Sequence, residues 1–156
     1  MKTIIVGMRN FLNYGTVCNA LDECGWTPTE IVSGRATGVN ALGERWAAEH
    51  GLPVKEFHAD WKAHGKAAGL LRNGQMAAYA DALVAIWDGR SRGTGRMIEQ
   101  ARHHGLRVYV HLVQQGYAIA LLEKRKGQAA ALTATPKTLN AEAVSLRSPG
   151  QRQPVL

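Results

Sequence analysis

Glycine, hydroxyl and cationic residues recur along this chain in four clusters, each following a short apolar run. They are Gly7-Met8-Arg9-Asn10; Ser33-Gly34-Arg35-Ala36-Thr37-Gly38; Asp60-Trp61 with Gly65-Lys66; and Asp88-Gly89-Arg90-Ser91-Arg92-Gly93-Thr94-Gly95. Glycine lets a backbone approach an anion, the free N–H groups of a helix start point at it, and hydroxyl or guanidinium groups add donors. The chemistry suggested is the cradling of a phosphate. Taken singly, each cluster has an ordinary explanation. Ser91 and Thr94 before a helix serve equally as N-cap residues. Ser33-Gly34 through Gly38 is not a G-x-G-x-x-G fingerprint, and no acid follows at the distance expected for a ribose contact. Together the two turns favour a ligand, with one phosphate held between two helix N-termini.

Other residues could complete such a site. Arg72-Asn73 lies near a helix start, where the guanidinium would make a bidentate contact with phosphate or carboxylate; the alternative is an ion pair with Asp81 or Asp88. Trp61 and Trp87 follow strand patterns and could stack on a base, although packing is the commoner use of tryptophan. Asp60 and Asp88 are the candidates for acid–base catalysis, with a loop cap as the competing role of Asp60. The six histidines show no metal-ligand spacing, so no metal is expected. No cofactor is expected either.

The elements that must position these groups alternate. Lys2–Gly7 reads as a buried strand, and Phe11–Cys24 as a helix with Phe11, Val17, Leu21 and Cys24 inward. Glu30–Ser33 reads as a strand, Val39–His50 as a helix ended by Gly51, and Pro53–His58 as a third strand. A loop rich in Gly, Lys and Trp then leads to a helix over Leu70–Tyr79. Ala82–Trp87 is the most apolar strand, Asp88–Gly95 a polar turn, Arg96–His104 a helix and Arg107–Val113 a fifth strand. This order predicts a three-layer, Rossmann-like α/β fold with a mainly parallel sheet of about five strands. Ligands of such sheets collect beyond the carboxyl ends of the strands, where the four clusters fall.

The chain has 156 residues, 46% hydrophobic and 20% charged, enough for one domain with a real core. The expected division is a nucleotide-binding domain over 1–125 and a polar, weakly ordered tail over 126–156. Within that region Tyr117–Glu123 reads as a short closing element and Asn140–Leu146 as a short helix. No apolar run spans a membrane, and the N-terminal run is too short for a signal peptide. Cys18 and Cys24 point to different faces of one helix and read as buried or half-buried thiols in a reducing compartment; the expected location is the cytoplasm. The net charge of +7 is split unevenly, 13 basic against 10 acidic groups in residues 1–115 and 6 against 2 thereafter. A basic tail can touch nucleic acid but is more often simply solvated.

The stretch Ile31–Asn40, Ala59-Asp60-Trp61, Gly65–Met76, Tyr79–Ala82, Trp87-Asp88-Gly89, Ser91–Thr94 and Met97-Ile98 resembles the YspA-type, cpYpsA-related proteins over roughly residues 1–113. That family belongs to the SLOG superfamily, with the DprA DNA-uptake proteins and the LOG phosphoribohydrolases. The resemblance implies a Rossmann-like fold, binding of a nucleotide or nucleotide-derived signal at the strand ends, and self-association. LOG enzymes carry an Arg-Lys pair and a Gly-Gly-x-Gly-Thr-x-x-Glu turn. Here Asn73 follows Arg72, and Met97 stands where the glutamate would be, so neither charge stabilisation nor proton transfer is available from that position. Glu99 should face elsewhere on the helix. The family's Gly-Gly-Ala-x-Gly-x-Asp turn becomes Gly34-Arg35-Ala36-Thr37-Gly38-Val39-Asn40, which adds a cation and removes an acid.

The expectation is therefore a sensor or sequestering protein for a phosphate-bearing nucleotide, such as an ADP-ribose-like molecule or a cyclic nucleotide. Its expected ligand contacts are Gly7, Arg9, Ser33, Gly34, Arg35, Thr37, Gly38, Asp60, Trp61, Lys66, Arg72, Asn73, Asp88, Gly89, Ser91, Gly93 and Thr94. The competing readings are a nucleotide hydrolase or N-glycosidase using Asp60 or Asp88, and a DprA-like nucleic-acid binder. A homo-oligomer is expected in each case.

Overall fold

The structure is a computed structural model that describes residues 1–114. Five strands, β1 (Lys2–Gly7), β2 (Glu30–Ser33), β3 (Val54–Glu56), β4 (Ala82–Trp87) and β5 (Arg107–Leu112), form one parallel sheet in the order β3-β2-β1-β4-β5. The helices are α1 (Tyr14–Glu23), α2 (Val39–Glu49), α3 (Trp61–His64), α4 (Ala68–Tyr79) and α5 (Arg92–His103), with a 3₁₀ turn at Gly65–Ala67 before α4.

Side-chain alternation along the strands builds two cores. Ile5, Ile31, Val84 and Ile86 face α1 and α2, meeting Val17, Leu21, Val39 and Trp46. Ile4, Val32, Leu83 and Ala85 face α4 and α5, meeting Met76, Ala77, Met97 and Ile98. Strands buried on both faces must be apolar at consecutive positions, which is why β1 and β4 read as unbroken apolar runs. The chain winds from β1 to β3 in one direction and then places β4 on the other side of β1. The winding reverses between β1 and β4, and at such a switch point the loops part and leave a crevice at the carboxyl edge.

Several element boundaries differ from the sequence expectation, each for a local reason. Helix α1 starts at Tyr14 rather than Phe11, because the Asn13 side chain accepts a hydrogen bond from the Thr16 N–H at 3.1 Å and caps the helix there. Phe11 precedes the cap and is partly buried against the core. The stretch expected to be a loop after β3 holds α3, capped by Asp60, whose carboxylate accepts from the Ala63 N–H at 3.0 Å. Helix α5 starts at Arg92 rather than Arg96. The Asp88 carboxylate accepts from the N–H groups of Arg90 and Ser91, so the turn closes within three residues. Strand β3 is shorter than Pro53–His58, although the Pro53 carbonyl and the Phe57 N–H still bond to β2. The boundary expected at 125, the closing element over Tyr117–Glu123 and the helix over Asn140–Leu146 lie outside the described residues.

Cys18 is half-buried and Cys24 buried, both as free thiols. No helix among the described residues is long and apolar enough to cross a membrane. His111, on β5, is 4% exposed, and burial lowers its pKa below the usual 6.5 against a smaller opposing pull from Glu23. The unfolded chain then takes up a proton before the folded one, so stability falls as pH drops through about 6.5. Thermal unfolding midpoints should decline on that acid limb for the wild type, and His111→Asn should flatten the decline.

Candidate functional site

The carboxyl edge of the sheet is shaped by glycines that permit close approach. A Cβ on Gly7 would lie 2.5 Å from Val39 Cγ2 and 2.6 Å from the Ile86 carbonyl oxygen, so α2 rests directly on the end of β1. Gly38 has a positive φ of 72°, and a Cβ there would lie 2.2 Å from the Met8 carbonyl oxygen. That carbonyl accepts from the Val39 N–H at 3.2 Å. The loop after β1 and the start of α2 are thereby locked together. Gly7 and Gly38 act as builders of the edge.

On the opposite face, Arg72 from α4 lies over Gly34 at the end of β2. Its guanidinium donates to the Gly34 carbonyl at 2.9 Å and to the Asn73 carboxamide at 3.3 Å. A Cβ on Gly34 would lie 3.1 Å from the guanidinium carbon, so the glycine makes room for this stacking. Arg72 makes no ion pair with Asp81 or Asp88. Asp81 instead accepts from the Lys2 N–H, and no described carboxylate pairs with Arg72. Its pKa is lowered by burial and then by the charge of Arg9. Two cations thus share one corner of the edge without an acid to neutralise them, and the Arg72 Nε is buried without a partner. Such an arrangement can receive an anion.

Across β1 from Gly34, α5 begins after β4. No side chain caps this helix, and Gly93 faces open space, so first-turn N–H groups remain available as donors. The Ser91 and Thr94 hydroxyls lie 3.3 Å apart, with Thr94 buried. Trp87 lies along Gly95, whose Cβ would come within 3.2 Å of the indole, and donates to the Ser91 carbonyl; it is a packing residue of this turn. Gly89, at φ 76°, completes the turn that Asp88 organises.

The remaining expected contacts are placed differently. Arg35, at φ 57°, is ion-paired to Glu44 and lies 3.6 Å from Glu56, so its charge is neutralised within the protein. Ser33 donates to Glu44 at 2.6 Å and accepts from the Arg35 N–H. Thr37 and Lys66 are exposed, and Trp61 is 55% exposed, with its ring 3.4 Å from where a Gly69 Cβ would be. Asp60 takes the loop-cap role. Removing that cap with Asp60→Ala should cost about 1 kcal/mol, read by urea denaturation.

The single phosphate expected between the N-termini of α2 and α5 would have to reach across the end of β1, which lies between β2 and β4. The two helices lie on opposite faces of the sheet. Their axes are separated by the sheet and by two helix radii, about 10 Å for the radii alone. Met97, at 0% exposure, belongs to the core on the α4–α5 side, while Glu99 is exposed. The position that holds a glutamate in LOG enzymes therefore contributes no group to the site. Sequence reading passed over Glu44, whose spacing from Ser33 gives no signal before α2 is laid on the sheet. No group of metal-ligating side chains occurs among the described residues.

A parallel sheet in this order, with its glycine-built edge and acid-free cations, defines a Rossmann-like protein. The chain belongs to the YspA, cpYpsA-related SLOG family, whose model matches residues 1–64. It is 39% identical over 116 residues to the Gene 61 protein of Mycobacterium phage D29, covering 69% of this chain and 93% of the phage protein. Among solved structures, DNA processing protein A from Helicobacter pylori, determined for its single-stranded DNA binding mode, is similar with a TM-score of 0.55 at 20% identity, covering 91% of this chain and 81% of that one. DNA processing protein A from Streptococcus pneumoniae is similar with a TM-score of 0.57 at 15% identity; the match covers 91% of this chain and 56% of that one. At these identities the likeness to the two structures is one of fold.

Proposed function

We propose that the protein binds a phosphate-bearing nucleotide or nucleotide derivative at the carboxyl edge of its sheet, as a sensor or sequestering protein. The observation that carries this reading is Arg72: half-buried, beside Arg9, and without a carboxylate partner among the described residues. The uncapped α5 turn with Ser91, Gly93 and Thr94 adds donors across β1. Asp60 and Asp88 are both engaged in capping, and Met97 is sealed in the core, which favours holding a ligand over hydrolysing one. The phage origin of a relative supports sequestration of a host nucleotide. We place a homo-oligomer in the cytoplasm within the same proposal.

A second reading is favoured by the single-stranded DNA binding of the Helicobacter pylori protein. A phosphodiester would meet the same cations, and the chain is basic at +7. One experiment separates the two. Purified protein is denatured and the released small molecules identified by mass spectrometry; the protein is then titrated calorimetrically with AMP, ADP-ribose, a cyclic dinucleotide and a twelve-residue oligothymidylate. Release or micromolar binding of a free nucleotide supports the first reading. Binding of the oligonucleotide alone, weakening steeply with salt, would transfer the site to the second.

A further inference from the structure

Helix α5 carries positive charge where its own dipole disfavours it. Arg90 precedes the cap residue Ser91, Arg92 opens the helix and Arg96 follows one turn later, while no acid stands in the first turn. The start of a helix is its positive end, so cations there cost stability and carboxylates would add to it. All three arginines are exposed, so burial offers no compensation. Pairing offers none either. Arg35 and Arg45 are held by Glu44 and Glu49, but among the described residues no carboxylate pairs with Arg90, Arg92 or Arg96. Glu99, three residues beyond Arg96, is the one acid against four arginines in residues 90–104, and it is not ion-paired with them. Folding therefore supplies no reason for these three charges.

Their geometry is that of a ridge. Met97, Ile98 and Ala101 turn α5 onto the core it shares with α4. Arg92, Arg96 and His103 are spaced by four and seven residues, so they share the opposite, exposed face. Arg92 and Arg96 are one turn apart, a rise of about 6 Å along the axis. The face exposes no apolar side chain to enter a bilayer. It also exposes no tryptophan, tyrosine or phenylalanine to stack on a base. What it does present is a row of guanidinium forks, which match phosphate oxygens in bidentate pairs.

We propose that the Arg90, Arg92 and Arg96 ridge of α5 docks the phosphodiester backbone of a nucleic acid without reading its bases. Arg72 stands on α4 and is bonded to Gly34 at the end of β2, so the proposal does not rest on the nucleotide-binding reading above.

The test is fluorescence anisotropy of the full chain with a labelled oligothymidylate and a labelled duplex over about 50 to 200 mM salt. Arg90→Ala/Arg96→Ala is compared with Lys55→Ala/Arg107→Ala, which removes the same two charges from exposed positions on β3 and β5. The ridge variant should bind about tenfold more weakly at the low-salt end, and its log–log salt slope should shrink by about 1.4 for the single strand or about 1.8 for the duplex. The second variant should stay within about twofold of the wild type, because a charge that touches no phosphate releases no counterion. The thermal midpoint of the ridge variant should hold or rise, since charge opposed by the helix dipole is gone; arginines placed for stability would lower it. Failure of both probes to bind at the low-salt end overturns the proposal. So does an equal loss in the two double variants, which would reduce the effect to net charge, or a loss in Arg72→Ala with none in the ridge variant. Binding to phosphatidylserine vesicles with neither nucleic acid bound would overturn it in favour of a membrane. Titration with AMP judges the nucleotide reading separately.

Discussion

Arg72→Ala is expected to weaken nucleotide binding by about two orders of magnitude, corresponding to about 3 kcal/mol for the loss of charge-assisted hydrogen bonds to phosphate. The folded protein should hardly notice. The side chain donates one bond to the Gly34 carbonyl at 2.9 Å and one to Asn73 at 3.3 Å, and removing it forfeits about 1 kcal/mol. Part of that loss is returned, because burial and the neighbouring Arg9 both disfavour the charged guanidinium. Burial lowers its pKa, but a guanidinium is not deprotonated in proteins, so the charge is there to meet a phosphate. Arg72→Lys should recover little of the binding. A lysine ammonium is a point charge that cannot brace itself on Gly34 and also present a planar pair of donors. A complementary measurement is the thermal midpoint with and without millimolar inorganic phosphate. The wild type should be stabilised by mass action and Arg72→Ala should not. Equal stabilisation of both proteins would remove Arg72 from the site and with it the main support for the proposed function.

The parts of this molecule that could be read from sequence are those governed by burial on a repeating geometry. β1, β2 and β4 have the bounds expected because their residues are buried on both faces, and the apolar run stops where the sheet stops. The four strand ends rich in glycine, hydroxyl and cationic groups therefore share the carboxyl edge of the sheet. What sequence could not supply was the pairing of polar groups across elements. Arg35 looked like a free cation, but α2 brings Glu44 to it, and the charge is cancelled. Asp88 looked like a candidate acid, but its carboxylate closes the turn and starts α5 four residues early. Arg72 had two plausible acidic partners in the sequence, and the fold gives it neither. Each of these depends on a contact between residues distant in sequence or on a side chain bonding to its own turn, and hydrophobic periodicity carries no record of either.

Gly38→Ala should be the most damaging single-methyl change at this edge, costing about 4 kcal/mol in chemical denaturation from combined backbone strain and overpacking. Two independent penalties act at once. The residue has φ 72° and ψ −125°, which a side chain disfavours strongly. The added Cβ would also lie 2.2 Å from the Met8 carbonyl oxygen and 2.6 Å from the Arg9 carbonyl carbon, both backbone atoms. The Met8 carbonyl has little freedom to retreat, because it accepts from Val39 at 3.2 Å and from Phe11 at 3.4 Å. Relieving the clash would pull the α2 N-terminus away from the loop that carries Arg9, so ligand affinity should fall even in the fraction that folds. Gly51→Ala separates the two penalties. Gly51 also has a positive φ, 64°, but a Cβ there would meet nothing within 4 Å. Its substitution should cost about 1 kcal/mol from strain alone and leave binding intact. Equal losses in the two variants would mean that the close approach of α2 to the β1 loop contributes nothing, and that this contact does not hold the edge together.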